Sequence, residues 1–312
     1  MKLPMIGLSA NEAGAHTREL VDGFTQACEW LGCQPNYFWA EDGRNPTQAR
    51  IAAQTLIDMD VQFVLGHLSA AASIAAAEGY RKNNMALFAP ATSHPALQRS
   101  NWPGIIRVFG TDERTAQAMV EARPVDGKPA VLFQRQIYGV SLGRELLAAL
   151  RVHGHEPYAA LISETAPLPA LPESVSHVFI AAIHEVAADA VIGIRQSGFT
   201  GTIALGDDCL TPNFMTLAGD HAEGCLVISP IWPEAGISPD SGYKPSSAIA
   251  ASVAIQAFQK DPCARGAELG KLITGQSWMT PHGEARFDPS GNLRGMRETV
   301  YEVRDGAFVA IS

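Results

Sequence analysis

The sequence is poor in charge, and it contains neither a long basic run nor a long apolar run. Charged residues make up 18% of the 312 residues, against a usual share of about 25%. Lys and Arg number 23 against 32 Asp and Glu, which gives a formal net charge of −9 and argues against a nucleic-acid partner. No uncharged apolar stretch reaches the ~18 residues of a transmembrane helix, so we expect a protein that is not embedded in a membrane.

Cysteine is also scarce, and its spacing excludes several kinds of site. The chain has 5 cysteines and no C-x-x-C pair, which argues against a zinc ribbon or a thioredoxin-like centre. An odd, sparse set is not a disulfide framework. We therefore interpret the cysteines as small buried hydrophobic residues: they are Cys28, Cys33, Cys209, Cys225 and Cys263.

The N-terminal residues do not resemble a secretory signal. Met1 and Lys2 are followed directly by a segment, Leu3–Leu8, that is typical of a strand. A signal needs an apolar region of about 7–15 residues and a cleavage site with small residues. Two locations are therefore expected: the periplasm if a signal peptide was removed before Met1, and the cytoplasm otherwise.

Short apolar runs alternate with helical periodicity along most of the chain, which predicts an α/β fold with mostly parallel sheets. In the first half, strands are predicted at 4–10, 36–39, 61–66 and 85–89, with helices at 17–31, 46–59 and 69–83. The pattern restarts after a division near 110–115, with strands at 130–133, 158–162, 177–182, 202–205 and 225–229 and helices at 139–153 and 185–197. A loop at 230–245, helices at 246–258 and 266–275, and a hairpin of 299–303 with 307–311 complete the prediction.

The most specific enzyme motif is a G-x-S-x-G match at Gly139–Gly143. In a serine hydrolase this motif forms a strained turn directly between a strand and a helix and exposes the serine nucleophile. Here the predicted strand ends near Gln134, so Ser141 is expected inside the first helical turn. A serine hydrolase that uses Ser141 therefore remains only a remote alternative.

Two other motifs could hold a metal. His153-Gly154-His155 stands at a predicted helix end, where cationic side chains suit the helix dipole. Asp207 and Asp208 follow a predicted strand without a phosphate-binding Gly-x-x-x-x-Gly-Lys loop. We expect neither a metal nor a cofactor.

Polar residues gather just beyond the carboxyl ends of predicted strands, the edge at which open parallel sheets bind ligands. Ser69 is expected to open a helix, whose free N–H groups suit a carboxylate, although it is also an ordinary N-cap residue. Ser93 offers a hydroxyl in an irregular loop, or is a simple turn serine. Asp208 could bind an ammonium group or cap a helix. Together these groups could bind a zwitterion.

Six segments, in this order, resemble the leucine/isoleucine/valine-binding proteins, which are type I periplasmic solute-binding proteins of branched-chain amino acid ABC transporters. The resemblance covers nearly the whole chain. The segments are Val64–Ser69, Ala89–Pro95, Ile106–Asp112, Gln136–Gly139, Ala222–Val227 and Phe287–Gly295.

The resemblance implies two Rossmann-like lobes with parallel-type sheets, joined by a three-strand hinge and closed by a ligand. Residues 1–113 and 232–280 would form lobe 1, and residues 114–231 and 281–312 would form lobe 2. The implied function is capture of a small amino-acid-like ligand between the lobes for an ABC transporter, without catalysis. The G-x-S-x-G match is then explained as the start of a second-lobe helix.

The resemblance also implies roles for individual residues. Ser93 stands where the family has a hydroxyl on the ligand carboxylate, Tyr138 at the second-lobe tyrosine, and Asp208 where a Glu takes the α-ammonium. Three positions differ from the family: Ala70 stands where the family has a serine, His16 where it has an aromatic residue, and Ile183 where it has a tyrosine. The candidate ligand-binding residues are His16, Ser69, Ala70, Ala91, Thr92, Ser93, Tyr138, Ile183 and Asp208.

The resemblance leaves the ligand and the partner open. The family's first-lobe disulfide is missing, since Ser69 occupies one cysteine position and 41–50 contains no cysteine. The ligand could be an amino acid, an amide or a small carboxylate. The partner could be an ABC permease or, for a cytoplasmic amide- or acid-sensing regulator of the same fold, a regulatory protein.

Overall fold

The computed structural model describes residues 3–231 and 242–311, and these residues form two compact units. The first unit comprises residues 3–110 and 242–297, and the second comprises residues 111–231 and 298–311. Each unit is an α/β structure built on one main sheet. The α/β fold with parallel-dominated sheets that the sequence predicts is therefore confirmed.

The first unit contains a five-stranded sheet in the order β2-β1-β3-β4-β5, with all neighbouring strands parallel. Its strands are β1 (Ile6–Ala10), β2 (Tyr37–Glu41), β3 (Val64–Gly66), β4 (Leu87–Ala89) and β5 (Ile105–Arg107). Its helices are α1 (Thr17–Trp30), α2 (Pro46–Asp58), α3 (Ala70–Lys82), α8 (Lys244–Lys260) and α9 (Gly266–Thr274). A short 3-10 turn covers Pro95–Gln98, and a separate hairpin pairs β11 (Ser277–Thr280) with β12 (Gly283–Arg286).

The starts of two helices in this unit follow from local sequence. Asn45 accepts backbone N–H groups of Thr47 and Gln48 through its side chain, and Pro46 fills the first turn of α2, where its missing N–H is not needed. Ser69 likewise caps α3 through a bond from the N–H of Ala72. Both helices therefore begin just beyond the carboxyl ends of β2 and β3.

The first sheet is buried on both faces. One face packs with α1 and α8 in a cluster that includes Leu8, Phe24 and Ile255, and the other packs with α2 and α3 around Leu56 and Tyr80. Burying each large apolar side chain contributes about 1.5–3 kcal/mol. These two layers fix the strand ends on which the polar residues lie.

The second unit contains a seven-stranded sheet in the order β14-β13-β10-β9-β8-β6-β7. Its strands are β6 (Lys128–Gln134), β7 (Tyr158–Ile162), β8 (Val175–Ala181), β9 (Thr202–Leu205), β10 (Leu226–Ile231), β13 (Arg297–Arg304) and β14 (Ala307–Ala310). Its helices are α4 (Asp112–Glu121), α5 (Ile137–Val152), α6 (His184–Gln196) and α7 (Pro212–Ala218), with 3-10 turns at Asp207–Cys209 and Gly219–Ala222. The sheet is parallel from β10 to β7, and β13 and β14 form an antiparallel hairpin.

The structure and the sequence-based division place residues 281–297 in different units, since the sequence analysis assigned them to lobe 2. They lie in the first unit. The cause is backbone pairing with the end of β5: the N–H of Arg107 donates to the carbonyl of Gly291 at 2.8 Å, and the N–H of Leu293 donates to the carbonyl of Arg107 at 2.9 Å. Phe287 and Leu293 are then buried in the first-unit core.

The predicted elements mostly agree with the structure, with boundary shifts of a few residues. The strands at 158–162 and 202–205 match β7 and β9, and the C-terminal hairpin is confirmed. The strands β5, β11 and β12 and the helices α4 and α7 were not predicted. Of the predicted loop at 230–245, residues 232–241 lie outside the described residues, and Lys244 already begins α8.

Four of the five cysteines are buried, as predicted, but Cys263 is exposed, so the prediction was wrong there. Cys263 lies in the short connection between α8 and α9. Burial raises the pKa of the Cys28 thiol to about 12 and that of the Cys225 thiol to about 11. These buried thiols are therefore protonated and poorly nucleophilic at neutral pH.

Across residues 3–231 and 242–311, no helix combines the length and the apolar character needed to cross a bilayer.

Candidate functional site

In the first unit, the candidate residues follow the carboxyl ends of β3 and β4. Ser69 accepts the N–H of Ala72 at 3.2 Å and so caps α3, and Ala70 is the buried first residue of that helix. The capping interpretation of Ser69 is therefore correct. The remaining N–H groups of this first turn are the kind of donors that bind a carboxylate.

The loop Ala91–Ser93 is buried and held by internal hydrogen bonds. The Thr92 hydroxyl is 2.5 Å from the Ser73 hydroxyl and also contacts the carbonyl of His67 at 3.4 Å. The Thr92 side chain thus connects two loops of the protein. Ser93 is 3% exposed, and its hydroxyl lies beyond the end of β4.

Arg107 holds the backbone of the Ser93 loop through hydrogen bonds, a role that sequence reasoning missed. This arginine is among the largest fully buried side chains. Its guanidinium donates to the carbonyl of Ser93 at 2.9 Å and to that of His94 at 2.8 Å. A charged residue in the otherwise apolar run Ile105–Phe109 was the signal that could have identified it.

A buried network beneath the same edge joins the loops after β2 and β3. The Nδ1 of His67 is 2.8 Å from the Asp42 carboxylate, and its Nε2 is 3.0 Å from the Tyr80 hydroxyl. All three side chains are at most 1% exposed. Burial and the Asp42 charge hold the pKa of Tyr80 well above its usual value, so Tyr80 keeps its proton. The network holds His67, which stands two residues before Ser69.

His16 lies between β1 and α1, immediately before the helix. Its ring packs against that of Tyr243, with centroids 4.6 Å apart, and its Nδ1 is 3.2 Å from the Glu19 carboxylate. Glu19 also accepts the N–H of Tyr243 at 2.6 Å. These contacts orient the imidazole at the carboxyl end of β1.

In the second unit, Tyr138 and Asp208 lie near the carboxyl ends of β6 and β9. The Tyr138 hydroxyl donates to the Asp207 carboxylate at 2.9 Å. One oxygen of Asp208 accepts both the backbone N–H and the ring Nδ1 of His184, each at 2.8 Å. Asp208 therefore caps the N-terminus of α6, where a negative charge is favoured by the helix dipole.

Ile183 immediately precedes α6, and its N–H donates to the side-chain carbonyl of Gln134 at 3.2 Å. Its side chain is half-buried against the second-unit core. Sequence reasoning identified Tyr138, Ile183 and Asp208, and it noted Asp207 only as a possible metal ligand. It missed the supporting roles of Gln134, at the end of a predicted strand, and of His184, next to Ile183.

Two further carboxyl groups of the second unit, those of Asp208 and Glu298, lie near Asp207. Burial, followed by the charge of Asp207, raises the pKa of Glu298 to about 7. Glu298 accepts a hydrogen bond from the Thr115 hydroxyl at 3.3 Å. Asp207 and Asp208 are thus two acidic side chains at this strand edge, whereas Glu298 is only partly ionised at neutral pH and also has Arg114 close enough to lower its pKa. The first-unit loops present N–H groups, hydroxyls and the buried charge of Arg107.

Ser141 lies four residues after the start of α5, not in the turn between β6 and the helix. Its side chain is buried, and the hydroxyl donates to the Asp112 carboxylate. A nucleophile elbow requires an exposed serine at a sharp strand-to-helix turn. The G-x-S-x-G match does not form that arrangement.

The structure contains two α/β units, each with buried polar groups at the carboxyl ends of its strands, the edge at which open parallel sheets bind ligands. The family model described as periplasmic binding protein matches residues 4–243, and the chain belongs to that family. The resemblance seen in the sequence is thus confirmed.

One relative is the leucine-, isoleucine-, valine-, threonine- and alanine-binding protein of Pseudomonas aeruginosa, which is 23% identical over 295 residues, 84% of this chain and 77% of that protein. Among solved structures, a leucine-binding protein from Thermotoga maritima has a TM-score of 0.87 at 19% identity and covers 99% of this chain and 98% of that one. A solute-binding protein from R. palustris in complex with 4-hydroxybenzoate has a TM-score of 0.82 at 15% identity, covering 100% and 96%. These structural likenesses show the type I periplasmic binding protein fold.

Proposed function

We propose that this protein captures a small amino-acid-like ligand and delivers it to an ABC permease. The observation that supports this most directly is the Asp208 carboxylate. It is 8% exposed, lies just beyond β9 and is held by two N–H donors of His184. A buried, oriented carboxylate at the ligand-binding edge of a parallel sheet suits an ammonium group.

The carboxylate of the ligand would bind the first unit. The N–H groups at the start of α3, at Ser69 and Ala70, the Ser93 hydroxyl and the backbone of Ala91 supply donors and close backbone contacts there. Thr92 would serve through its backbone, since its hydroxyl bonds Ser73. Helix N-terminal N–H groups favour an anion through both hydrogen bonds and the helix dipole.

The ammonium group would bind the second unit through Asp208, with the Tyr138 ring beside it. His16 and Ile183 would contact the ligand side chain. Opposite charges at the two ends of the ligand then meet complementary groups, which gives selectivity for a zwitterion.

The compared proteins differ in the class of ligand that their names give. The P. aeruginosa relative is named for five amino acids, while the R. palustris protein was solved with 4-hydroxybenzoate, an acid without an amino group. The acidic groups near Asp208 favour the first class of ligand for this chain. We further propose a location in the periplasm, an ABC permease as partner, and no catalytic step, metal or cofactor.

The test uses isothermal titration calorimetry with the standard amino acids and their deaminated counterparts. Asp208→Asn keeps the shape of the side chain and removes its charge. We expect the variant to lose at least tenfold in affinity for the bound amino acid, about 1.4 kcal/mol, and to bind the deaminated acid at least as well as wild type. Equal weakening of both ligands would remove Asp208 from the ammonium role.

A further inference from the structure

His184 is the most completely enclosed polar side chain near Asp208. It is 0% exposed and is the first residue of α6. Its Nδ1 lies 2.8 Å from the Asp208 carboxylate, and its Nε2 lies 2.9 Å from the side-chain amide nitrogen of Asn213. The Glu185 carboxylate lies 3.4 Å from the same Nδ1. The ring thus connects Asp208 to α7.

We assign the tautomer of His184 from the donors and acceptors of these contacts, with the Asn213 amide nitrogen placed toward Nε2. An amide nitrogen only donates, so the Nε2 of His184 accepts a hydrogen bond from Asn213. The remaining ring proton is then on Nδ1 and is donated to Asp208. In this arrangement the imidazole is neutral, and the Asp208–His184 pair keeps one net negative charge.

We propose that His184 is a positioning residue for ligand selectivity, acting through Asp208; this inference rests on the proposed function. Two N–H donors of one residue hold the same oxygen of Asp208, which fixes the position of that oxygen. Because the ring is neutral, it orients the carboxylate without cancelling its charge. His184 therefore increases the preference for ligands that have an ammonium group over acids that lack one.

The chain allows a matched pair of substitutions. In His184→Asn the side-chain amide nitrogen lies near the position of Nδ1 and can still donate to Asp208. In His184→Gln the amide nitrogen reaches toward the position of Nε2 instead. Both variants leave a smaller, polar side chain in the same buried space, so a merely structural effect would weaken both alike.

The readout is the dissociation constant of the deaminated acid divided by that of the amino acid, measured with 4-methylpentanoate and L-leucine and with the other standard amino acids. We expect His184→Gln to reduce this ratio about tenfold and His184→Asn to stay within about threefold of wild type. Long-range ¹⁵N NMR on the unliganded wild type should show His184 as the neutral Nδ1–H tautomer.

The outcomes separate this inference from the proposed function. A wild type that prefers amino acids, together with an unchanged ratio in His184→Gln, overturns the inference alone. A doubly protonated His184 ring also overturns it. A wild type that binds no amino acid overturns the proposed function, whichever tautomer the NMR spectrum shows.

Discussion

At the scale of single residues, most polar side chains near the strand ends bind other protein groups rather than solvent. Thr92 bonds Ser73, Tyr138 bonds Asp207, and Asp208 bonds His184. Sequence reasoning named Thr92, Tyr138, Asp207 and Asp208, because they lie in recognisable segments, but it paired none of them. The partners lie far apart in sequence, up to 69 residues for Tyr138 and Asp207. Only the fold shows that they are neighbours.

Thr92 and Ser93 allow a direct separation of support from binding. Thr92→Val removes a buried hydroxyl that bonds Ser73 and His67, and we expect a loss of about 1–3 kcal/mol in the free energy of unfolding. Ser93→Ala is expected to leave the free energy of unfolding within about 1 kcal/mol and to weaken ligand binding several-fold. Urea unfolding and calorimetric titration of both variants measure this. Reversed effects, with Thr92→Val impairing binding alone, would contradict these roles.

Glu298 gives a pH dependence with a defined sign. Its pKa rises from 4.5 to about 7, mainly through burial. The folded protein therefore keeps the proton while the unfolded chain loses it, and this contribution to stability is full below about pH 4.5 and is lost as the pH rises to about 7. We expect Glu298→Gln to be more stable than wild type at pH 8, by about 1–3 kcal/mol.

Urea unfolding of wild type and Glu298→Gln across pH 4.5–8 checks this prediction. The difference between the two proteins should grow with pH in favour of the variant. A difference that does not depend on pH would show that the Glu298 carboxyl is not perturbed in the folded state.

At the scale of elements, the first unit depends on a close contact between α1 and α8. A Cβ built on Gly23 would lie 2.5 Å from the carbonyl oxygen of Lys244 and 2.7 Å from the Cβ of Ser247. A Cβ does not approach a non-bonded heavy atom this closely, so the two helices must separate to accept any side chain at position 23. Gly23 is therefore required by packing rather than by backbone conformation.

Gly79 provides the matched control, because it also lies within a helix, α3, and a Cβ there would meet only side-chain carbons, at 3.8 Å and 3.9 Å. We expect Gly79→Ala to stabilise the protein by up to about 1 kcal/mol through helix propensity. Gly23→Ala should destabilise it by about 1–3 kcal/mol through overpacking. Thermal unfolding compares the two variants, and a Gly23→Ala protein as stable as wild type would contradict the packing account.

The same scale shows what the sequence could predict. Long helices with an apolar face and strands of five or more residues were located within a few residues. The strand β5, Ile105–Arg107, was missed because a charged residue ends its apolar run. The strands β3 and β4 also have three residues, but they lie in the longer uncharged runs 61–66 and 85–89. The pairing partners of β5, which are β4 and residues 291–293, are set by tertiary contacts that also place 281–297 in the first unit.

At the scale of the whole molecule, the chain contains two units of the same class with different electrostatic character. The first presents hydroxyls and helix N–H groups beyond β3 and β4. The second presents carboxylates beyond β9 and at the start of β13. Fold and family follow from ordered sequence segments, whereas the pairing of Asp208 with His184, on which the proposed ligand preference rests, is shown only by the fold.

The most direct test of the account is a thermal-shift screen of the wild-type protein. The panel contains the standard amino acids, their amides, their deaminated acids and small aromatic acids. A ligand at 100 times its dissociation constant adds about 2.7 kcal/mol to the free energy of unfolding. We predict that at least one amino acid gives such a shift and that its deaminated counterpart gives a smaller one. Equal or larger shifts with acids that lack an ammonium group, or no shift with any amino acid, would contradict the proposed ligand class.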